Sequence, residues 1–216
     1  MVMPVIRQVK VGCVTEKNVK HATVGEGKYL SRGQWETVNS QKLLALSRRL
    51  AYGEDKRGNV ILCHSHSDNI MSDGERGWES EFVDTKRQWG KMKGKPYYHF
   101  IISPDPKDKV SPEDCLRLAE EWVEENFNGA QWYACVHKAE ESHIIHAHVI
   151  INSVYPDTGR KIHRTPNDIR HESKSLQRIA SERYGMTPLE DIDDYRRRRA
   201  AEWAAAHVKD GHSEGS

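Results

Sequence analysis

His137–Val154 reads HKAEESHIIHAHVIINSV, and the spacing of its histidines and isoleucines decides how the chain folds. Val149, Ile150 and Ile151, like Ile144 and Ile145, favour strands. Side chains alternate along a strand, so His146 and His148 share one face while Ile145, Ala147, Val149 and Ile151 take the other, apolar one. Gln131–Lys138 (QWYACVHK) reads as the preceding strand. With Ala139–Ser142 as a hairpin loop, Lys138 falls opposite His143 and His137 opposite Ile144. His137 then joins the face of His146 and His148, about 7–8 Å from His146 as a diagonal neighbour. His143 has the wrong parity. An isolated H-x-H is most often a polar pair on a wet strand. A third histidine at matching parity points instead to a metal, since three imidazoles on a rigid hairpin can hold a divalent ion and leave positions for substrate.

Outward from the hairpin, apolar periodicity marks further elements. Ser111-Pro-Glu-Asp114 opens a helix, with a capping hydroxyl, proline at the first position and acids in the first turn. Leu116, Ala119, Trp122, Val123 and Phe127 form its buried stripe, and Asn128-Gly129 ends it. Tyr97–Pro104 (YYHFIISP) and Asn59–Ser65 (NVILCHS) read as strands, and Pro4–Gly12 alternates as a half-buried one. Ser40–Tyr52 and Trp78–Met92 carry helical spacing. Thr165-Pro-Asn-Asp168 and Thr187-Pro-Leu-Glu190 each start a helix. The fold class expected is α+β: about five mainly antiparallel strands with helices packed over the sheet and the metal on its open face. The expected division is a domain over residues 1–186, a C-terminal helix over 187–210 and a polar tail over 211–216.

The bulk composition narrows the setting. In 216 residues, 30% are charged and the formal net charge is +1, so a nucleic-acid surface must come from local clustering. Mean hydropathy is −0.80. No run of eighteen apolar residues suggests a membrane span, and there is no apolar leader. Four scattered cysteines without C-x-x-C suit buried thiols. A cytoplasmic protein without membrane insertion is expected.

V-H followed by H-A-H-V-I-I-N-S-V resembles the metal motif of HUH endonucleases, and more narrowly the MobA/Mob-type relaxases of conjugative and mobilizable elements. The resemblance covers most of residues 4–185. It departs from the family at Ala139, where H-x-D has its acid; Glu140 and Glu141 are the neighbouring acids. It implies a sandwich of helices over a sheet, a divalent ion (Mg²⁺ or Mn²⁺, with Zn²⁺ or Ni²⁺ also suited to imidazole), and ligands His137, His146 and His148. It also implies single-stranded origin-of-transfer DNA as substrate, a tyrosine nucleophile, and accessory and coupling proteins as partners.

Tyr52, late in the leucine-rich first helix, best matches the family's nucleophile position. Tyr29 in K-Y-L-S-R-G is the alternative, and His21 a third, since some mobilization proteins use histidine. His99 matches a Tyr-His position of the family and is expected to orient the phosphate or support a metal ligand. His64 and His66 form a second H-x-H that lacks a third partner in sequence. Candidate DNA contacts are Lys91, Lys93, Lys95, Arg160, Lys161, Arg164 and Arg170, because single strands require cations along the backbone. Rolling-circle initiators and single-strand transposases of the same superfamily, and a non-catalytic DNA-binding accessory domain, are the alternative functions.

Overall fold

Strand alternation sorts the apolar residues of five strands onto the two faces of one sheet. The computed structural model describes residues 5–8, 41–46, 60–72, 77–138, 144–187, 197–198 and 200–204. The strands are β1 (Val5–Gln8), β2 (Val60–His66), β3 (Tyr97–Ser103), β4 (Trp132–Lys138) and β5 (Ile145–Asn152). Their order across the sheet is β1-β3-β5-β4-β2, and all four ladders are antiparallel. The histidine strand β5 is therefore central, held by backbone hydrogen bonds on both edges.

One face carries Tyr98, Phe100 and Ile102 of β3, Trp132, Ala134 and Val136 of β4, and Ala147, Val149 and Ile151 of β5. Two helices cover it, α2 (Pro112–Phe127) and α3 (Pro166–Tyr184). Ser111 caps α2 by accepting from the Asp114 backbone N–H, and Thr165 and Asp168 form a reciprocal capping box on α3; such caps contribute about 1 kcal/mol each. Trp122 anchors the two helices to each other, its indole N–H donating to the Glu172 carbonyl at 2.9 Å. The other face carries Tyr97, Tyr133, Cys135 and Ile150, packed under Trp78, Phe82 and Val83 of α1 (Trp78–Gln88) and under Leu43 and Leu46 of the helical residues 41–46.

The hairpin register differs from the expected one by two residues. His137 lies directly opposite His146, and Lys138 opposite Ile145. Pairing begins at Ile145, so the connection is longer than Ala139–Ser142. A shift of two preserves parity, and the histidines keep their common face; a shift of one would have buried them. The helix expected over Trp78–Met92 ends at Gln88, capped by Trp89, with Gly90 at a φ of 64°.

Beneath α1 lies a polar network with a fully buried lysine. Lys86 Nζ donates to Asn152 Oδ1 and, at 3.3 Å, to the Phe82 carbonyl. Asn152 Nδ2 and Thr85 Oγ1 both donate to Gln131 Oε1, at 2.8 and 2.7 Å. Burial lowers the Lys86 ammonium from its ordinary 10.5 to about 7. Between those values the unfolded chain binds this proton and the native chain does not, so stability rises with pH across that window and the full cost of the buried charge is present below it. From pH 7 to pH 9 the expected gain is roughly 2–3 kcal/mol. Denaturant melts of the wild type against Lys86→Met check it: the variant loses the rise. A wild type no more stable at pH 9 than the variant's own trend allows would contradict a buried, charge-labile Lys86.

Candidate metal centre

Cross-strand pairing places His137 beside His146, and alternation places His148 two residues further on the same face. The ring centroids are 4.9 Å apart for His137–His148, 5.0 Å for His146–His148 and 5.8 Å for His137–His146. One nitrogen from each ring lies within 4.8 Å of the others. Bonds of about 2.0–2.1 Å at tetrahedral angles require nitrogens roughly 3.4 Å apart, a closure that small side-chain rotations supply. His137 is 1% exposed and the other two are half-buried.

At His146 the surroundings favour the neutral ring, the state that ligates. Burial pulls the His146 imidazolium below its ordinary value, against a smaller opposing effect of its Nδ1 contact with the Ile144 carbonyl at 3.3 Å. His148 Nδ1 lies 2.8 Å from His99 Nε2. An imidazole with one nitrogen held by such a partner ligates through the other, with tautomer and ring orientation fixed. His99 is buried on β3, where its neighbour Ile101 pairs with His148. His137 Nε2 contacts Cys135 Sγ at 3.8 Å. Among the described residues this is the one three-ligand group able to hold a metal ion. Its all-nitrogen donor set suits a borderline divalent ion and leaves coordination positions for oxygen ligands.

Residues 35–186 match the family described as Relaxase: MobA/VirD2-like, nuclease domain. The chain belongs to that family. A solved structure described as "Molecular Basis of Vancomycin Resistance Transfer in Staphylococcus aureus" shares the fold, with a TM-score of 0.54 at 12% identity over 88% of this chain and 98% of that one. No curated protein matches. The expected fold class therefore holds for this relaxase: an antiparallel sheet between helices, with the histidines on its partly open face.

The other expected site residues of the relaxase are dispersed. His64 stacks on Tyr133 with centroids 6.0 Å apart, and His66 Nδ1 lies 3.1 Å from the Ser67 carbonyl; neither joins a three-ligand group. Arg164 departs from the DNA-contact expectation. It forms an ion pair with Glu172, both side chains 7% exposed, and its guanidinium lies 4.9 Å from the Phe100 ring centroid and 5.5 Å from that of Tyr98. A buried guanidinium held this way is a packing element and does not face solvent for a phosphate. Arg170 is exposed on α3, bonded to Asn167 Oδ1 at 3.1 Å, in the layer across the sheet from the histidines.

Lys91, Lys93 and Lys95 follow α1, and Arg160 and Lys161 lie in the turn after β5. The two segments are tied together at the end of the sheet remote from the histidines. Trp89 Nε1 donates to the Pro156 carbonyl at 2.8 Å, and Lys161 Nζ donates to the Lys93 carbonyl at 2.7 Å. Gly159 has a φ of 64°, and a Cβ there would stand 2.4 Å from the Trp89 ring, so only glycine admits the indole. Sequence reading missed this clamp because its halves lie some seventy positions apart. Tyr29, Tyr52 and His21 lie outside the described residues. Among those described, no helix is long and apolar enough to cross a membrane.

Proposed function

We propose that this relaxase nicks one strand of DNA at an origin of transfer and retains the 5′ phosphate on a tyrosine. The observation that carries the reading is the His137–His146–His148 cluster on the central hairpin of a relaxase nuclease domain. A divalent ion bound there, with Mg²⁺ or Mn²⁺ expected from the family and Zn²⁺ or Ni²⁺ also suited to imidazole, would neutralise charge on a non-bridging phosphate oxygen. The three imidazoles hold that position, and His99 fixes His148 from behind. The tyrosine oxygen attacks phosphorus, the phosphorus–O3′ bond breaks, and the departing strand end takes up a proton as a 3′ hydroxyl. One phosphodiester replaces another, so the reaction runs backwards to rejoin the strand.

Tyr52 is the proposed nucleophile, with Tyr29 as the alternative. Support comes from the helical residues 41–46, whose Leu43 and Leu46 pack on the histidine face of the sheet with Tyr133, Cys135 and Ile150. Tyr52→Phe should still bind DNA but lose the covalent adduct, read as a protease-sensitive band on a denaturing gel. An adduct that persists in Tyr52→Phe and disappears in Tyr29→Phe would move the nucleophile. Persistence in both variants would turn attention to His21.

A further inference from the structure

The cationic ledge made by residues 89–95 and 155–163 lies about 20 Å from the metal centre. Lys161 bridges to Val154, six residues beyond His148 along the line of β5, and an extended strand rises about 3.3 Å per residue. The α1 layer covers the face between the two, through the Trp78–Tyr133 stack and the contact of Phe82 with Asn152. The ledge is therefore out of reach of a phosphate held at the histidines.

Its charge is nonetheless concentrated. Lys91, Lys93, Lys95, Arg160 and Lys161 gather there around the Trp89–Gly159 clamp, in a chain whose net charge is only +1. On the α2–α3 surface, by contrast, Arg178 pairs with Glu125 and Arg183 with Glu121, each at 2.5 Å. Among the described residues no carboxylate lies within ion-pair distance of Lys91, Arg160 or Lys161. Beside the ledge opens a cleft of about 460 Å³ whose lining includes Asn128, Tyr155, Arg160, Lys161 and His163, with Asp157 as its one carboxylate. Amide, hydroxyl and cationic donors at its wall suit phosphate oxygens.

We propose that this ledge is a second DNA anchor, one that grips the sugar–phosphate backbone of the same strand away from the scissile bond. Deepening the relaxase reading above, it adds a distance. At about 3.4 Å per stacked nucleotide, 20 Å corresponds to roughly six nucleotides between the two contacts. Backbone contacts of this kind fix register and add affinity without reading sequence.

The test uses the full chain and fluorescein-labelled oligo-dT of six and of twenty-four nucleotides, with anisotropy followed across a salt series. From the short to the long oligonucleotide, wild type should gain at least tenfold more affinity than a protein without the ledge, because only the long one bridges both sites while the number of binding registers on oligo-dT is common to both proteins. Arg160→Glu/Lys161→Glu should keep only the gain that the larger number of registers provides, and its log–log salt slope on the long probe should fall by about 1.4, near 0.7 per lost phosphate contact. Lys91→Glu/Arg160→Glu alters only exposed side chains and gives the same reading should Lys161 prove necessary for folding. Arg178→Ala/Arg183→Ala, on the ion-paired surface, should keep the gain. An undiminished gain and slope in both ledge variants would overturn the second anchor while leaving the metal-centre reading intact. Wild type that binds neither oligonucleotide would remove the DNA reading beneath it, and wild type that binds polyglutamate but no DNA would reassign the ledge to an acidic protein.

Discussion

His148→Ala is expected to slow metal-dependent cleavage roughly a thousandfold and to leave the fold standing. His148 is the hub of the cluster: it lies about 5 Å, ring to ring, from His137, His146 and His99. Its removal would take away one of the three proposed ligands and the ring that His99 contacts at 2.8 Å. A bound ion contributes several kcal/mol of charge stabilisation at the phosphate. At 1.36 kcal/mol per factor of ten, losing about 4 kcal/mol lowers the rate roughly a thousandfold. The side chain is half-buried on an open face, so truncation leaves the apolar layer of Ala147, Val149 and Ile151 untouched. Mn²⁺ titration and a cleavage time course check both halves of the expectation. His99→Phe should show a milder version, a 10–100-fold loss of metal affinity, as expected for a residue acting through a ligand. A His148→Ala protein that cleaves at the wild-type rate would remove the histidines from the reaction.

Glu172→Ala is expected to cost about 3–5 kcal/mol of stability. Arg164 and Glu172 are each 7% exposed at the side chain, and Arg164 Nε donates to Glu172 Oε1 at 2.6 Å. Arg164 also donates to Gln8 Oε1 at 2.6 Å and lies on the Phe100 ring, so one guanidinium joins β1, β3 and α3. Removing the carboxylate strands that charge among apolar rings. Burial raises the Glu172 carboxyl above its ordinary range, against the pull of Arg164, so the pair only partly offsets its own desolvation. The apolar double replacement Arg164→Met/Glu172→Met should therefore melt close to wild type, while Glu172→Ala alone melts on the order of 10 °C lower. Equal destabilisation by the single and double changes would show that packing volume, and not the unpaired charge, sets the cost.

The elements were legible in the sequence where one physical signal dominates. Alternation gave β5 its two faces, the Ser111 and Thr165 caps fixed the starts of α2 and α3, and parity brought three distant histidines together. The register was not legible, because the polar loop between His137 and His146 carries no turn signal to choose between slips of two. Charged residue type proved a poor guide to placement. Arg164 reads as a free cation but meets Glu172 across the capping turn of α3. Lys86 stands in a basic run, yet it lies four residues after Phe82 and one after Thr85, both on the buried stripe of α1; that spacing was the signal available. The Trp89–Gly159 clamp has none, since a contact between loops seventy positions apart leaves no mark in local pattern.

The most direct test of the central claim is a denaturing gel of the intact protein with labelled single-stranded origin DNA, in Mn²⁺ and in chelator, followed by peptide mapping of any shifted band. A Mn²⁺-dependent, protease-sensitive shift that maps to a tyrosine peptide is the predicted result. Cleavage of the cognate strand without an attached peptide, or an adduct that forms equally well in chelator, would contradict metal-assisted transesterification at the three histidines.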